Sequence, residues 1–406
     1  MNPVRFLPFL CMASVLTLPI HAQEKRKIII DQDARGPATT DQQAILALIQ
    51  SPQTEVLGIT VVTGDQWRDE EVAHTLRMLE IIGRTDIPVV PGAVFPLDNS
   101  KEFIARWEKL YGKVVYQGAW NWGKVHGPFD IPPLVEGATH TKPAGEDPAH
   151  FLIRMVHRYP HQVTIVAAGP LTDLALAITI DPYFASDAQE LVVMGGSINP
   201  QSTDPEFRMS PRREFNFWMD PEASHAVLKA NWARITDTPV DISIKTRLTK
   251  QMIAEIAKSP TPAARYIAKY ADEEYMWDEL AAIAWLDPSI ITRTEKLYLD
   301  VSTDPGASYG DTLAWLPGNQ PSIMAFLDRG YVKPPANSHP NTNSQPKAFV
   351  CSQCPVQLAI LLTQPAQPVT VNVDLDKSKF EKEFIDLMTR ATPQSHFPGD
   401  HHPSLP

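Results

Sequence analysis

The chain has 406 residues, 36 of them Lys or Arg and 47 Asp or Glu, which gives a formal net charge of −11 at pH 7. This acidic balance argues against binding to nucleic acid or to an anionic membrane surface, because both need a basic protein surface. An apolar fraction of 43% excludes a disordered protein, and 38 prolines indicate many loops. We find no internal repeat, and we expect one domain from about residue 25 to residue 390.

The first 22 residues have the composition of a secretory signal peptide. One early positive charge, Arg5, precedes an apolar run from Phe6 to Ile20, and Ala22 stands before a sharp switch to charged residues. The run is short for a membrane span and contains two prolines, which favours a cleaved leader over an uncleaved anchor. We therefore predict cleavage after Ala22 and export to the periplasm or the medium, with no membrane insertion of the mature chain.

Two cysteines would remain after this cleavage, Cys351 and Cys354, in a C-x-x-C pair. In an exported protein this pair favours a small disulfide over a metal site, because no second pair of ligands lies nearby. Residues 334–346 are rich in Pro, Asn and Ser and predict a surface loop. The last residues, 391–406, predict a disordered tail.

Short apolar, β-branched runs alternate with helical patterns along the mature chain. The predicted strands cover residues 27–30, 55–62, 87–91, 162–168, 190–194 and 233–240. The predicted helices cover residues 44–49 (beginning near Asp41), 69–82, 148–157, 172–178 and 221–228. Strands and helices in this alternation are typical of an α/β fold with a mostly parallel central sheet flanked by helices, in a Rossmann-like topology. Such a sheet binds its ligands outside the carboxyl ends of its strands.

An insertion of about 95–141 interrupts this alternation. It carries three tryptophans, Trp107, Trp120 and Trp122, among many turn residues. We expect it to form a lid or rim over the sheet, with its tryptophans mostly in the core or rim and one of them able to line the pocket.

Three carboxylates follow the first predicted strand, with Asp31 and Asp33 at its end and Asp41 at the start of the next helix. Such a cluster is unfavourable unless a cation neutralises it. Oxygen ligands without His or Cys suit Ca²⁺ or Mg²⁺ rather than zinc. The residues alone leave two interpretations open. One is a metal site, and the other is a structural arrangement in which Asp41 caps the helix and Asp31 accepts backbone hydrogen bonds.

Five sequence blocks stand in a fixed order, each at a predicted strand end or helix start. They are GITVVTGD at 58–65, AAGPLTDLA at 167–175, MGGS at 194–197, REFNFWMDPEA at 213–223 and MWDELA at 276–281. In this order they resemble the calcium-dependent nucleoside hydrolases of the inosine-uridine-preferring superfamily. The resemblance implies that family's fold and the hydrolysis of the N-glycosidic bond of a nucleoside by metal-activated water.

The resemblance also implies a set of calcium ligands. Asp33, Asp41 and Asp278 match the side-chain ligands, and the backbone carbonyl of Ala168 is a plausible fourth ligand. Asp33 would also be the catalytic general base. The spacing differs from the family's first motif, because residues 35–39 lengthen it.

Five further positions match substrate-binding residues of the family. Glu214 and Asn216 correspond to a ribose-binding pair, whereas Thr40 and Asp65 stand where the family has an Asp and an Asn. Trp277 replaces a His that protonates the leaving base in one branch. It matches a Trp in another branch, which favours purine nucleosides by stacking. We therefore expect a preference for purine nucleosides or a related N-riboside.

Thr40 in place of a carboxylate leaves a second function open, an exported protein of the same fold that binds a nucleoside or sugar without hydrolysing it. The expected partner is in either case a small molecule, and a homo-oligomer is compatible with the sequence. Asp220, followed by a proline, is expected to cap a helix, and Asp241 to cap a turn. His74 and His225 are expected to have packing or surface roles.

Overall fold

The computed structural model describes residues 24–320 and 367–393. The predicted signal peptide, the loop at 334–346, the Cys351–Cys354 pair and residues 394–406 of the predicted tail lie outside the described residues. Within the described part of the chain, no helix has the length and apolar character needed to cross a membrane.

The described residues form strands and helices that alternate over most of the chain. The strands are β1 (Arg26–Gln32), β2 (Thr54–Val61), β3 (Val89–Pro91), β4 (Val163–Ala168), β5 (Glu190–Met194), β6 (Ile235–Thr238), β7 (Ile291–Val301), β8 (Thr312–Trp315) and β9 (Pro368–Leu375). The helices are α1 (Thr40–Gln50), α2 (Arg68–Ile82), α3 (Lys101–Tyr111), α4 (Pro148–Arg158), α5 (Thr172–Ile180), α6 (Phe184–Asp187), α7 (Pro205–Met209), α8 (Phe215–Met219), α9 (Pro221–Lys229), α10 (Val240–Ser243), α11 (Lys250–Ile256), α12 (Pro262–Tyr270), α13 (Trp277–Leu286) and α14 (Lys377–Thr389). Short 3₁₀ turns occur at Gly118–Trp120 and Pro288–Ile290.

The nine strands of the described residues form one sheet in the order β3-β2-β1-β4-β5-β6-β9-β7-β8. All pairs from β3 to β9 are parallel, and β7 runs antiparallel to both β9 and β8. The predicted α/β fold with a mostly parallel sheet is therefore confirmed. The chain order reverses between β1 and β4, which leaves a crevice at their carboxyl ends, where such sheets bind ligands.

Helices cover both faces of the parallel part of the sheet. Ile28 and Ile30 of β1 pack into one buried apolar cluster with α1, α13 and α14, whereas Ile29 packs into a second cluster with α4, α5 and α9. Successive side chains of a strand point to opposite faces, so a continuous apolar run fits a strand that is buried on both sides. This packing holds the carboxyl end of β1 in a fixed position between its neighbours.

The predicted strand that ends at Val240 is shorter in the structure, because Pro239 has no N–H for the ladder and α10 begins at Val240. Asp241 therefore lies in a short helix rather than after a strand. Its carboxylate accepts hydrogen bonds from the backbone N–H groups of Ile198, at 2.8 Å, and Asn199, at 2.6 Å. Asp241 thus caps the loop that follows β5.

Two other capping and packing predictions concern α9 and α2. Asp220 caps α9 by accepting a hydrogen bond from Ala223 N at 3.1 Å, as predicted. His74 lies buried in α2 against the carboxylate of Glu136, and His225 in α9 bonds Asp300 at 2.6 Å. Both histidines thus contact carboxylates in packing positions, as predicted.

Candidate active site

A cavity of about 230 Å³ opens at the carboxyl ends of β1 and β4. It is lined by all nine residues for which the resemblance implied a role: Asp33, Thr40, Asp41, Asp65, Ala168, Glu214, Asn216, Trp277 and Asp278. Further lining residues are Arg35, Tyr116, Trp122, Met194, Glu206, Phe207, Phe215 and Val240. Residues that lie up to 245 positions apart in the chain therefore meet in one place, and their individual roles stay predictions.

Three of the carboxylates are almost completely buried. Asp33 follows β1 directly, Asp41 lies in the first turn of α1 and Asp278 lies in the first turn of α13, with exposures of 2% to 3%. The amino ends of α1 and α13 both face the cavity, and helix dipoles favour negative charge at these ends. The Gln32 amide also donates to Asp278 Oδ2 at 2.6 Å and to Asp41 Oδ1 at 3.4 Å.

These carboxylates repel one another. Burial raises the pKa of Asp33 well above its ordinary value, and the charges of Asp65, Asp41 and Asp278 raise it further. Burial likewise raises the pKa of Asp41 to about 8, with Asp65 adding to the rise and Arg35 opposing it. The pKa of Asp278 is raised by burial and by Asp41. A bound cation would relieve this repulsion.

The residues that line the cavity include three carboxylates and Ala168, whose backbone carbonyl the resemblance implied as a ligand. Oxygen donors of this kind have the chemistry that a hard cation needs. Among the described residues, no three His, Cys, Asp or Glu side chains already converge as a metal-binding cluster. Gln32 holds one oxygen of Asp278, and Thr39 Oγ1 donates to Asp41 Oδ2 at 2.7 Å. The residues therefore fit calcium in kind, and their carboxylates would have to turn toward a common point to enclose an ion.

Among the extra residues 35–39, Arg35 places its positively charged guanidinium group beside the cavity. Arg35 forms ion pairs at 3.1 Å with Asp65 Oδ2 and with Glu274 Oε2. The hydroxyl of Tyr116, from the insertion, donates to Asp65 Oδ1 at 2.7 Å. Both oxygens of Asp65 are thus already hydrogen-bonded, so a ligand would share them. We refer to Arg35, Asp65, Tyr116 and Glu274 as the Arg35 clasp.

Sequence reasoning did not assign site roles to Arg35, Tyr116 and Glu274. The lengthened first motif was the signal that could have drawn attention to Arg35. Thr40, which the resemblance placed in the sugar pocket, donates its hydroxyl to Glu279 Oε2 at 2.5 Å and accepts from Asp278 N at 3.2 Å. Its hydroxyl is therefore engaged with α13.

Glu214 and Asn216, which also line the cavity, are fixed by hydrogen bonds to the backbone. Glu214 caps α8, accepting from Asn216 N at 2.7 Å, Phe217 N at 3.1 Å and Gly196 N at 2.8 Å. Asn216 Nδ2 donates to the carbonyl of Met194 at 3.1 Å. Burial raises the pKa of Glu214 to about 7, which these backbone donors oppose.

Aromatic side chains form the remaining wall. Trp277 contacts Tyr275, with ring centroids 4.6 Å apart, and Phe207, at 5.9 Å in an edge-on arrangement. Trp122 lines the rim with 58% of its side chain exposed and contacts Tyr116 at 5.4 Å. The insertion therefore contributes to the rim, as predicted, through these two residues.

The other two tryptophans of the insertion lie in its packing interface. Trp107 and Trp120 are buried in a cluster with Trp218 and Tyr309. This cluster anchors the insertion on α8 and on the β7–β8 connection.

The model of the inosine-uridine preferring nucleoside hydrolase family matches residues 28–382 of this chain. The chain belongs to this family of nucleoside hydrolases. Because the members of this family hydrolyse nucleosides, the chain is a hydrolase of N-glycosyl bonds. The enzymes of the family are metal-dependent. This membership favours the enzyme over the binding protein that Thr40 left open.

Individual relatives differ in the bases that their names specify. The probable uridine nucleosidase 2 of Arabidopsis thaliana is 30% identical over 287 residues, which cover 67% of this chain and 81% of the relative. The pyrimidine-specific ribonucleoside hydrolase RihA of Salmonella newport is 28% identical over 327 residues, 75% of this chain and 95% of the relative. The structure of the purine-preferring ribonucleoside hydrolase from Gardnerella vaginalis shares the fold, with a TM-score of 0.62 and 19% identity over 90% of this chain and 98% of that one.

Proposed function

We propose that this nucleoside hydrolase is a calcium-dependent ribonucleosidase that prefers purine nucleosides. The observation that carries the proposal is the cavity itself, in which Asp33, Asp41 and Asp278 face the same space as Glu214 and the aromatic wall of Trp277. One end of the cavity offers carboxylates to a cation and to sugar hydroxyls. The other end offers a flat π surface to a base.

The residues of the cavity divide the reaction between them. Asp33, Asp41, Asp278 and the carbonyl of Ala168 would hold a Ca²⁺ ion, which supplies positive charge that eases deprotonation of a water. Asp33 accepts the proton of that water as its oxygen attacks the anomeric carbon. The negative charge of the site stabilises the oxocarbenium-like sugar of the transition state.

The opposite walls position the two halves of the substrate. Glu214 and Asn216 are rigidly held at the end of β5, so they orient the ribose at little entropic cost. Trp277 is fixed by Tyr275 and Phe207 and stacks on the departing base. A purine has the larger π face, which supports the proposed preference although relatives of both specificities exist.

A panel of inosine, adenosine, guanosine, uridine and cytidine with added Ca²⁺ tests this function by the release of reducing sugar. We expect the purine nucleosides to have the highest kcat/KM. Trp277→Ala should lower kcat/KM for purines about 10-fold or more, since base–aromatic stacking contributes roughly 1–3 kcal/mol. Trp277→Phe keeps an aromatic face and should retain most of the rate.

Three outcomes of this panel would count against the proposal. No turnover of any nucleoside would contradict the hydrolase itself. Equal turnover of uridine and inosine, or unchanged purine kinetics in Trp277→Ala, would contradict the stacking role.

We further propose that the enzyme acts outside the cytoplasm, on the basis of the leader before Gln23 and the Cys351–Cys354 pair. Native protein isolated from its host should lack residues 1–22 and should weigh two hydrogens less than the fully reduced mature chain. Intact mass spectrometry before and after reduction measures both. An intact leader would contradict export, and free thiols in fresh native protein would contradict the disulfide.

A further inference from the structure

One carboxyl group in the cavity has no role in the mechanism above. Glu206 lies in the first turn of α7, where Asp204 caps the helix by accepting from Glu206 N at 3.0 Å. Its side chain lines the main cavity and a smaller neighbouring cavity. The next residue, Phe207, contacts the ring of Trp277, so Glu206 borders the wall that we assign to the base.

The carboxyl group of Glu206 is free to act on a ligand. In the part of the chain that the structure describes, it makes no side-chain hydrogen bond or ion pair. The other carboxylates of the cavity are occupied. Asp65 accepts from Arg35 and Tyr116, and Glu214 accepts from three backbone N–H groups.

The chemistry of the cavity requires a proton donor at this wall. Cleavage of an N-glycosidic bond leaves its electron pair on the base, which departs poorly unless a nitrogen or oxygen of the base is protonated. The indole N–H of Trp277 is not acidic near neutrality. No His is among the described residues that line the cavity, and the Tyr116 hydroxyl already donates to Asp65.

The surroundings of Glu206 favour its protonated form. Burial, together with the charges of Glu214, Asp204 and Asp65, raises the pKa of Glu206 to about 8. The positively charged residues that line the smaller cavity with it are Lys113 and Arg213. At neutral pH the carboxyl group therefore holds a proton that it can donate.

We propose that Glu206 is the general acid of this enzyme and protonates the departing base. This inference rests on the proposed function. As the bond between the anomeric carbon and the base nitrogen breaks, its electron pair passes to the base, which takes the proton of the Glu206 carboxyl group. The oxygen of the attacking water forms a bond to the anomeric carbon, and the water loses one proton to the Asp33 carboxylate. Exchange with solvent then restores both groups, and the net reaction consumes one water.

Glu206→Gln tests the inference when two substrates are compared. Inosine has a base that needs protonation, whereas 4-nitrophenyl β-D-ribofuranoside has a leaving group that is stable as an anion. We expect Glu206→Gln to lower kcat on inosine about 100-fold or more and to change kcat on the nitrophenyl riboside less than about threefold, since a general acid contributes 10²–10⁴. Glu206→Asp should restore part of the inosine rate.

The pH profile of the wild-type enzyme gives a test that needs no variant. On inosine, kcat should fall above about pH 8, where Glu206 loses its proton, and it should not fall there on the nitrophenyl riboside.

Glu102→Gln is the control variant for the comparison of the two substrates. It removes an exposed carboxyl group from the first turn of α3 and should leave kcat on inosine and on the nitrophenyl riboside unchanged.

The outcomes separate this inference from the function on which it rests. If Glu206→Gln lowers kcat on both substrates to the same extent, or lowers neither, the acid role is overturned. The proposed nucleosidase function is unaffected by that result. A fall of kcat above about pH 8 on both substrates would also overturn the acid role of Glu206. A wild-type enzyme that cleaves neither substrate would overturn the proposed function and this inference together.

Discussion

Asp33→Asn is expected to lower kcat for nucleoside hydrolysis by about three orders of magnitude, because one change removes both the proposed general base and a proposed calcium ligand. An amide cannot accept the proton of the attacking water, and it lacks the negative charge that a cation needs. Steady-state kinetics on inosine with saturating Ca²⁺ measures the loss. The variant should fold, since Asn has the same shape and relieves the repulsion around this position.

Asp31→Asn is the matched control for this experiment. Asp31 lies in β1, two residues before Asp33, is completely buried and does not line the cavity. Burial and the neighbouring Asp173 raise its pKa well above the ordinary value, so an amide is close to the group already present. It should therefore lower kcat far less than Asp33→Asn. Comparable rates for Asp33→Asn and the wild-type enzyme would contradict the base assignment.

Calcium is expected to stabilise the folded enzyme by about 3 kcal/mol when its concentration is 100-fold above Kd. The physical reason is the cluster of Asp33, Asp41 and Asp278, whose charges repel one another when no cation is bound. Thermal unfolding in Ca²⁺ and in excess EDTA measures the difference. Mg²⁺ should give a smaller increase in Tm, because it is smaller and gives up its waters reluctantly.

The effect of calcium should also depend on pH. Asp41 has its pKa raised to about 8 in the folded chain, against about 3.9 when unfolded. Without metal, stability should therefore fall as pH rises from about 4 to about 8, because only the unfolded chain releases this proton there. Calcium binds the ionised form, so its stabilisation should be larger at pH 8 than at pH 5.

Asp278→Asn provides the control, since it should remove most of the calcium-dependent shift in Tm while the EDTA value changes little. Equal Tm values of the wild-type enzyme in calcium and in EDTA would contradict the proposed metal site.

The parallel half of the sheet could be predicted from the sequence because its strands are buried on both faces. Ile28, Ile29 and Ile30 form a continuous apolar run that only such a strand explains. By contrast, β7 was missed because one half is exposed and its partner β9 lies more than 60 residues further along the chain. The start of α1 at Thr40 agrees with the helix that the sequence predicted to begin near Asp41.

The candidate site could be predicted only where residues match a motif. Asp33, Asp41 and Asp278 stand in recognisable blocks, and the structure places them in one cavity. Arg35 and Glu206 match no motif, and their positions depend on contacts between distant parts of the chain. The ion pair of Arg35 with Glu274, for example, spans 239 residues. The sequence shows that residues 35–39 lengthen the first motif of the family. It does not show the direction in which the side chains of these residues point.

The Arg35 clasp has a consequence for protein engineering. Its four members come from the first motif, the loop after β2, the insertion and the approach to α13, and they share one largely buried set of charges. Removing one partner of such an ion pair leaves the other charge uncompensated, which destabilises the rim. A rim grafted from a relative with another base preference would therefore fail unless residues 35, 65 and 274 were exchanged with it. This part of the cavity rim is thus held together by side chains from four separate segments of the chain.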